Sequence, residues 1–183
     1  MFKYFRIKCI RKYLTKEATE VLVLSLVISH LDYCNLILYG ISKNELDKMQ
    51  RVQNMCAKLV LNRGKFESSK QALFDLHWLP IKARITFKIL TFMYNCSIGC
   101  APVYLNELLK KKTPTRSLRS ASISTGCYEV PFNKRKSFRD RGFSTVGPKL
   151  WNKLPVSVRN SENIGSFKKR LKTHYFKIFY ALF

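Results

Sequence analysis

The side chains of this chain that are able to do chemistry are 11 acids, three histidines, six cysteines and 34 cations. Two-metal nucleotidyl transfer requires carboxylates that converge on a divalent ion. The four aspartates, Asp32, Asp47, Asp75 and Asp140, are isolated, and no two of them are adjacent in the sequence. The sequence therefore predicts capping and solvent-facing roles for the acids, and no polymerase or nuclease activity in this chain alone.

The cysteines offer a second kind of chemistry. The spacing of Cys96 and Cys100 permits two zinc ligands, with Cys127 or His77 completing a tetrahedron, but the second paired half of a zinc motif is missing. Thiols buried at a helix end are the favoured interpretation. No Cys–His arrangement typical of a nucleophilic enzyme is recognisable. We therefore expect neither a catalytic site nor a metal or other cofactor.

The same cysteines bear on the cellular compartment. Their even number suits disulfides, but the N-terminal segment lacks the apolar core of a secretory signal. Cys34 and Cys56 fall on apolar helical faces, so we expect reduced core thiols in an intracellular protein, nuclear or cytoplasmic and not secreted. The longest apolar run, 21–31, is interrupted by His30 and Asp32 before it reaches the roughly 20 residues that span a bilayer. A membrane partner is not expected.

Positive charge dominates the remaining surface chemistry. The formal net charge is +23, with 16 Lys/Arg and 8 Asp/Glu in residues 1–109 but 18 and 3 in residues 110–183. An excess of this size favours a polyanionic partner, with nucleic acid first. The predicted phosphate-contacting residues are Arg116, Arg119, Lys134, Arg135, Lys136, Arg139, Arg141, Lys168, Lys169, Arg170 and Lys172. For the run 168–172, a solvated helix face is an equal alternative.

Two tryptophans are candidates for base stacking, because an indole face stacks on any base. Trp78 lies in the segment 76–80, and Trp151 lies in the segment 147–155. For Trp78, beside a leucine and a proline at a helix start, a packing role is the favoured alternative. No motif that reads base edges is present, so the sequence predicts no sequence specificity.

Helices are the elements that must position these residues. Thr15 is placed to cap a helix from Lys16 to about Tyr39, which Gly40 would stop. A capping box begins at Ser42, and the helix that it opens places an apolar stripe on one face before it closes at 63–64. Further helices are predicted at 69–76, 80–94 and 103–111.

The pattern changes after a polar, proline-broken stretch at 113–120. Short extended pieces are predicted at 128–131 and 141–144, followed by one helical turn at 148–152. An amphipathic helix is predicted at 166–179, with Phe167, Leu171, Tyr175 and Ile178 on its buried side. The fold class is therefore mainly α.

Eight short phrases occur in a fixed order along the chain. They are SHLDYCN (29–35), LYG (38–40), QRVQN (50–54), LHWLP (76–80), APVYL (101–105), RSLRS (116–120), GPKLWNKLP (147–155) and FKK (167–169). Together they resemble the region after the palm in the reverse transcriptases of LINE-type, jockey-like non-LTR retrotransposons. The resemblance covers about residues 13–175.

The resemblance implies a helical domain like a polymerase thumb at 1–112, a linker at 113–127 and a basic C-terminal region at 128–183. It implies RNA template and DNA primer as partners. The aromatic-Ala-Asp-Asp motif of the palm and the endonuclease residues of the family have no counterpart here. We therefore expect this chain to be a non-catalytic fragment of an RNA-directed DNA polymerase that binds nucleic acid. The alternatives are a host module that binds proteins or itself, and a pseudogene product without function.

Overall fold

The chain folds into helices joined by short turns. The structure, a computed structural model, describes residues 2–112, 126–132 and 139–180. The α-helices are α1 (Phe2–Ile10), α2 (Lys16–Val23), α3 (Ser29–Asp32), α4 (Lys43–Val60), α5 (Ser69–Asp75), α6 (Ile81–Ser97), α7 (Val103–Glu107), α8 (Phe143–Asn152), α9 (Val156–Arg159) and α10 (Ile164–Tyr180). The prediction of a mainly α fold is confirmed.

The chain divides into two compact units. The first comprises residues 1–85 and 175–183, and the second comprises residues 86–174. The division differs from the predicted boundaries because the end of α10 packs with the N-terminal half: the ring of Phe176 lies 5.3 Å from that of Phe74. Residues 113–125 of the predicted linker 113–127 lie outside the described part of the chain.

Helix α4 is the best-specified element of the first unit. The Ser42 hydroxyl accepts a hydrogen bond from the Glu45 amide at 3.4 Å, as the capping box predicts. The helix ends earlier than the sequence suggested, because Asn62 adopts a left-handed conformation (φ 52°). The Arg63 amide then bonds the Lys58 carbonyl at 2.8 Å, which closes a Schellman motif with asparagine in the usual glycine position.

Two glutamines of α4 fix the segment that leads into α6. The Gln53 amide donates to the Leu79 carbonyl at 2.9 Å, and the Gln50 side-chain oxygen accepts from the Ile81 amide at 2.9 Å. The second bond satisfies one of the unpaired N–H groups at the start of α6. The hydroxyl of Tyr180 donates to the Trp78 carbonyl at 2.8 Å. The QRVQN and LHWLP phrases therefore have a packing role here.

The N-terminal part of the first unit differs most from the sequence-based picture. Helix α1 was not predicted, since its basic and aromatic residues show no helical period; Tyr4 and Ile7 hold it in the core. The predicted helix 16–39 is interrupted by a π-helical segment at Leu24–Ile28 and ends at Asp32. Cys34 then adopts a φ of 48° and is exposed, so the prediction that it is a core thiol is wrong.

Aromatic rings form the core of the second unit. The ring of Tyr94 stacks on that of Phe167 with centroids 4.3 Å apart, and Trp151 lies 5.9 Å from Phe167. Gly147 of α8 passes close to α6, because a Cβ at this position would stand 2.5 Å from the Met93 sulfur. Only glycine allows this approach without displacing Met93.

Helix α8 replaces two predicted pieces, an extended segment at 141–144 and a single turn at 148–152. Gly142 precedes the helix, and the Val146 amide bonds its carbonyl at 2.9 Å. Pro148 lies inside α8 and removes one backbone donor. Burial of Val146 and Trp151 favours the helix despite that loss. The prediction at 141–144 was therefore wrong.

The other predicted extended segment, 128–131, is represented in the structure by a single bridging residue, Tyr128. It forms an isolated antiparallel bridge with Lys111. The Asn152 side chain holds it further, accepting from the Tyr128 amide at 3.0 Å and donating to its carbonyl at 2.8 Å. Asn152, the asparagine of the GPKLWNKLP phrase, thus makes with Tyr128 the pair of hydrogen bonds that a neighbouring strand would make.

Helix α10 buries part of its predicted apolar side. Phe167 and Leu171 are fully buried, but Ile178 is 57% exposed, and Tyr180 is buried instead. Among the helices of the described residues, none combines the length and apolar character needed to cross a bilayer.

Candidate nucleic-acid interface

The predicted run of cations on α10 is exposed. All four cations face solvent: Lys168, Lys169, Arg170 and Lys172. Phe167, which directly precedes them, is fully buried. A helix turns by about 100° per residue, so residues four apart share a flank. Lys168 and Lys172 are therefore neighbours on one side of α10, with Lys169 on the outer side.

Arg170 is used differently from the three lysines. Its guanidinium donates to the Ser157 carbonyl at 2.8 Å, just after the start of α9. An arginine held in this way ties two segments together and has fewer donors left for a phosphate. The structure therefore reduces the predicted four-cation site on α10 to a face of three lysines.

The other predicted phosphate contacts are only partly described. Arg141 is exposed at the end of a 3₁₀ turn, Arg139–Arg141. Arg139 lies in this turn, but its side chain is outside the described part. Five predicted residues also lie outside the described residues: Arg116, Arg119, Lys134, Arg135 and Lys136.

Both tryptophans are packing residues, which corrects the stacking prediction. Trp78 is 6% exposed, and its indole N–H donates to Glu20 at 3.2 Å. Trp151 is 2% exposed, and its indole N–H donates to the Gly126 carbonyl at 2.9 Å. Neither ring offers an open face to a base. Large rings gain more from burial in a core than from exposure, so the packing alternative applies to both.

A cation-lined groove lies in the first unit, where sequence reasoning placed no site. It has a volume of about 1090 Å³ and is formed by α1, the turn after it, α4 and the segment after α4. Seven of its thirteen lining residues are cationic: Lys8, Arg11, Lys12, Arg51, Lys58, Arg63 and Lys65. Of the described residues that line it, none is acidic. No local signal marks this groove, because its cations are spread over some 58 positions from Lys8 to Lys65.

Three of these groove cations also stabilise the fold through hydrogen bonds or ion pairs. The Arg11 guanidinium donates to the carbonyls of Leu14, Leu59 and Val60 at 2.8, 2.9 and 3.1 Å. Two of those carbonyls belong to the last turn of α4, where a cation is favoured by the helix dipole. The Lys58 ammonium donates to the Lys65 carbonyl at 2.8 Å.

Arg63 is the third of them. It pairs with Asp75 at 2.5 Å and lies 3.6 Å from Glu67. The remaining groove cations are exposed. Within the described part of the chain, neither Lys8 nor Arg51 has an ion pair.

Two exposed aromatic rings stand beside lining lysines of the groove. The ring of Tyr13 lies 4.7 Å from the Lys12 ammonium, and the ring of Phe66 lies 5.7 Å from the Lys65 ammonium. Tyr13 is 77% exposed and Phe66 is 96% exposed. Neither ring is itself a lining residue of the groove. The ammonium lies over one face of each ring, and the high exposure leaves the rest of the ring accessible to a planar ligand.

Three of the four aspartates that were considered for metal chemistry are engaged in ion pairs. Asp32 takes two contacts from the Arg84 guanidinium, one of them at 2.9 Å. Asp75 binds Arg63, and Asp140 lies 3.8 Å from the Lys149 ammonium. Among the described residues, no group of three acidic, histidine or cysteine side chains is arranged to hold a metal ion.

The buried thiols are held in their neutral form. Burial raises the pKa of Cys56 to about 12, and burial also raises the pKa of Cys96. A neutral thiol is a weak nucleophile and a weak metal ligand. The favoured interpretation of Cys96 and Cys100 as buried helix-end thiols is confirmed for Cys96, which is buried, and is wrong for Cys100, which is exposed.

No protein-family model, curated protein or solved structure matches this chain. The fold and surface define a mainly helical protein with two exposed cationic features, the three-lysine face of α10 and the groove of the first unit. The resemblance to retrotransposon reverse transcriptases remains a prediction from the eight sequence phrases.

Proposed function

We propose that this chain is a non-catalytic, nucleic-acid-binding fragment of a retrotransposon RNA-directed DNA polymerase, equivalent to its thumb and the region after it. The observation that carries the proposal is the lysine face of α10. Lys168, Lys169 and Lys172 are exposed on a helix whose other side is anchored by Phe167 and Leu171. Because the helix already orders the backbone of these lysines, only their side chains need to be ordered when they neutralise phosphates.

The non-catalytic part of the proposal rests on the acids. Three of the four aspartates, Asp32, Asp75 and Asp140, are engaged in ion pairs with arginine or lysine. A carboxylate already paired with a cation is a poor ligand for a divalent ion. We expect no primer extension when the protein is given a primed RNA template, nucleotides and Mg²⁺.

Binding to a labelled RNA–DNA hybrid, followed by anisotropy over a salt series, tests the proposal. If about six phosphates are neutralised, the slope of log K against log salt is near −5. The triple variant Lys168→Gln, Lys169→Gln, Lys172→Gln should flatten that slope by about 2 to 3. The matched control replaces three exposed lysines elsewhere, Lys16, Lys43 and Lys110, by glutamine. No binding at low salt, or equal losses in both variants, would contradict the proposal.

Protein interaction is a second candidate, favoured by the exposed apolar side chains of α7 and the residue after it. Val103 is 72% exposed, Tyr104 65% and Leu108 51%. Neighbouring apolar side chains of this size are typical of a contact surface. Light scattering after size exclusion measures self-association directly. A monomer whose mass is unaffected by Val103→Ser with Tyr104→Ser would exclude association through this surface.

A further inference from the structure

We propose that the groove of the first unit is a separate binding site for single-stranded nucleic acid. Phosphates would bind Lys8 and Arg51, and bases would stack on Tyr13 and Phe66. This inference rests on the proposed nucleic-acid binding, but it assigns a different surface and a different form of ligand. Of these four residues, only Arg51 lies in one of the eight sequence phrases, QRVQN (50–54).

Charge is the first argument. The groove is concave, its lining carries seven cations, and no acid occurs among the described residues that line it. A cleft lined by charge of one sign focuses its field and raises the local concentration of the opposite charge. Three cations have structural partners, whereas Lys8 and Arg51 are exposed on opposite elements, α1 and α4. A polyanion is the ligand that relieves this accumulation of like charge.

Size is the second argument. The volume of about 1090 Å³ is close to the upper limit of small-molecule pockets, roughly 1000 Å³. That space accommodates a few nucleotides of one strand. The polar lining residues Asn54, Asn62 and Ser69 supply hydrogen-bonding groups for sugars and base edges without demanding one sequence.

The exposed rings are the third argument and the one that selects a single strand. Tyr13 and Phe66 each stand beside a lining lysine, so a ring and a cation are presented together at two places. In a duplex the base faces are already stacked on each other. A single strand has free faces, and stacking of its bases on aromatic side chains is a general mode of binding without sequence preference.

The first experiment measures binding of a labelled oligouridine, a single strand without stable structure. Lys8→Gln with Arg51→Gln should weaken binding about tenfold and flatten the salt slope by about 1.4, which corresponds to two phosphate contacts on a single strand. The matched control is Lys16→Gln with Lys43→Gln, which removes the same charge from exposed positions outside the groove. Equal affinity losses in the two variants would overturn the proposal.

The second experiment separates stacking from charge. Tyr13→Ala with Phe66→Ala should weaken oligouridine binding about tenfold and leave heparin binding unchanged, because heparin has charge but no bases. Both side chains are exposed, so we expect the fold to be retained, and far-ultraviolet circular dichroism checks this. A charge-preserving variant, Lys8→Arg with Arg51→Lys, should bind within about threefold of the wild type. An unchanged oligouridine affinity in the ring variant would overturn the proposal.

A comparison with the α10 lysine variant separates this inference from the proposed function. If the α10 variant loses hybrid binding while the groove variant keeps its full oligouridine affinity, the groove proposal is wrong and the proposed function stands. Another outcome is that the RNA–DNA hybrid displaces labelled oligouridine as effectively as unlabelled oligouridine does, and that the groove variant loses affinity for both ligands equally. In that case the proposed selectivity for a single strand is wrong. Loss of oligouridine binding in the groove variant alone supports the inference.

Discussion

The groove of the first unit and the lysine face of α10 present positive charge in opposite ways. The face of α10 comes from five consecutive positions, 168–172, and the helix distributes their cations around its exposed side, with Arg170 turned to Ser157. The groove draws its cations from α1, the turn after it, α4 and the segment after α4, and the fold brings them to one concavity. Cations that are adjacent in the sequence are thus spread around α10, whereas cations that are far apart in the sequence are gathered in the groove.

The two surfaces also differ in what their cations do for stability. On α10 the cations and the buried anchors are different residues. In the groove, Arg11 both lines the cavity and binds the carbonyl groups that end α4. Binding and stability should therefore separate cleanly on α10, whereas in the groove they overlap at Arg11, which lines the cavity together with the proposed phosphate contacts Lys8 and Arg51.

The largest effect that we predict concerns the anchor of α10. Phe167→Ala should lower the free energy of unfolding by about 3–5 kcal/mol, because it removes a fully buried ring that stacks on Tyr94. Urea denaturation measures the loss.

The control for this prediction lies on the same helix. Lys168→Ala with Lys172→Ala should change the free energy of unfolding by no more than about 0.5 kcal/mol while it weakens nucleic-acid binding. If the lysine variant proves as unstable as Phe167→Ala, binding and stability are not separate on α10, and the contrast with the groove disappears.

A smaller but substantial effect is expected at Arg11. Arg11→Ala removes three hydrogen bonds from a part-buried guanidinium and leaves the carbonyls of Leu59 and Val60 without this donor. We expect the free energy of unfolding to fall by about 2–3 kcal/mol, measured by urea denaturation. Lys169→Ala, which removes one exposed charge from α10, is the matched control and should stay within about 0.5 kcal/mol.

Arg11→Lys sharpens this second prediction. Lysine keeps the charge but lacks the planar fork that reaches three carbonyls, so most of the stability loss should remain. Full stability in this variant would mean that charge near the end of α4, and not the set of hydrogen bonds, is what Arg11 contributes.

Much of the helical framework was predictable from local signals. The capping box at Ser42 and the apolar stripe that follows it mark α4, and the positions of α5, α6 and α10 were predicted within a few residues. These elements have caps and a regular apolar period, which are properties of neighbouring residues. Their existence therefore does not depend on distant contacts.

What the sequence did not predict depends on tertiary contacts. Helix α1 has no apolar period and is held by burial of Tyr4 and Ile7. Helix α8 includes Pro148, and burial of Trp151 outweighs the missing donor. The groove is the extreme case, since Lys8 and Arg51 line one cavity although they lie 43 positions apart in the sequence. No local sequence pattern spans that separation.

The smallest effect that we predict compares a buried thiol from each unit. Burial raises the pKa of Cys56 from its ordinary value of 9.0 to about 12, and that of Cys96 in the same direction. Cys56 is fully buried on α4, the helix that forms one wall of the groove, while Cys96 is 6% exposed on α6. Above pH 9 the unfolded chain loses the Cys56 proton and the folded protein retains it. The free energy of unfolding should therefore fall with rising pH, by at most about 1.4 kcal/mol per pH unit for this group.

Urea denaturation measures how the free energy of unfolding depends on pH. It should be carried out at neutral pH and at a series of pH values above 9 on the wild type, Cys56→Ala and Cys96→Ala. Other buried groups, such as Tyr180 and Tyr128, add to the slope of all three proteins. The difference between slopes therefore isolates each thiol. Cys56→Ala should flatten the pH dependence more than Cys96→Ala, because the more deeply buried thiol resists ionisation more strongly. Equal slopes in the wild type and Cys56→Ala would show that this thiol ionises as readily in the folded protein as in the unfolded chain, and the inner side of α4 would then be open to water.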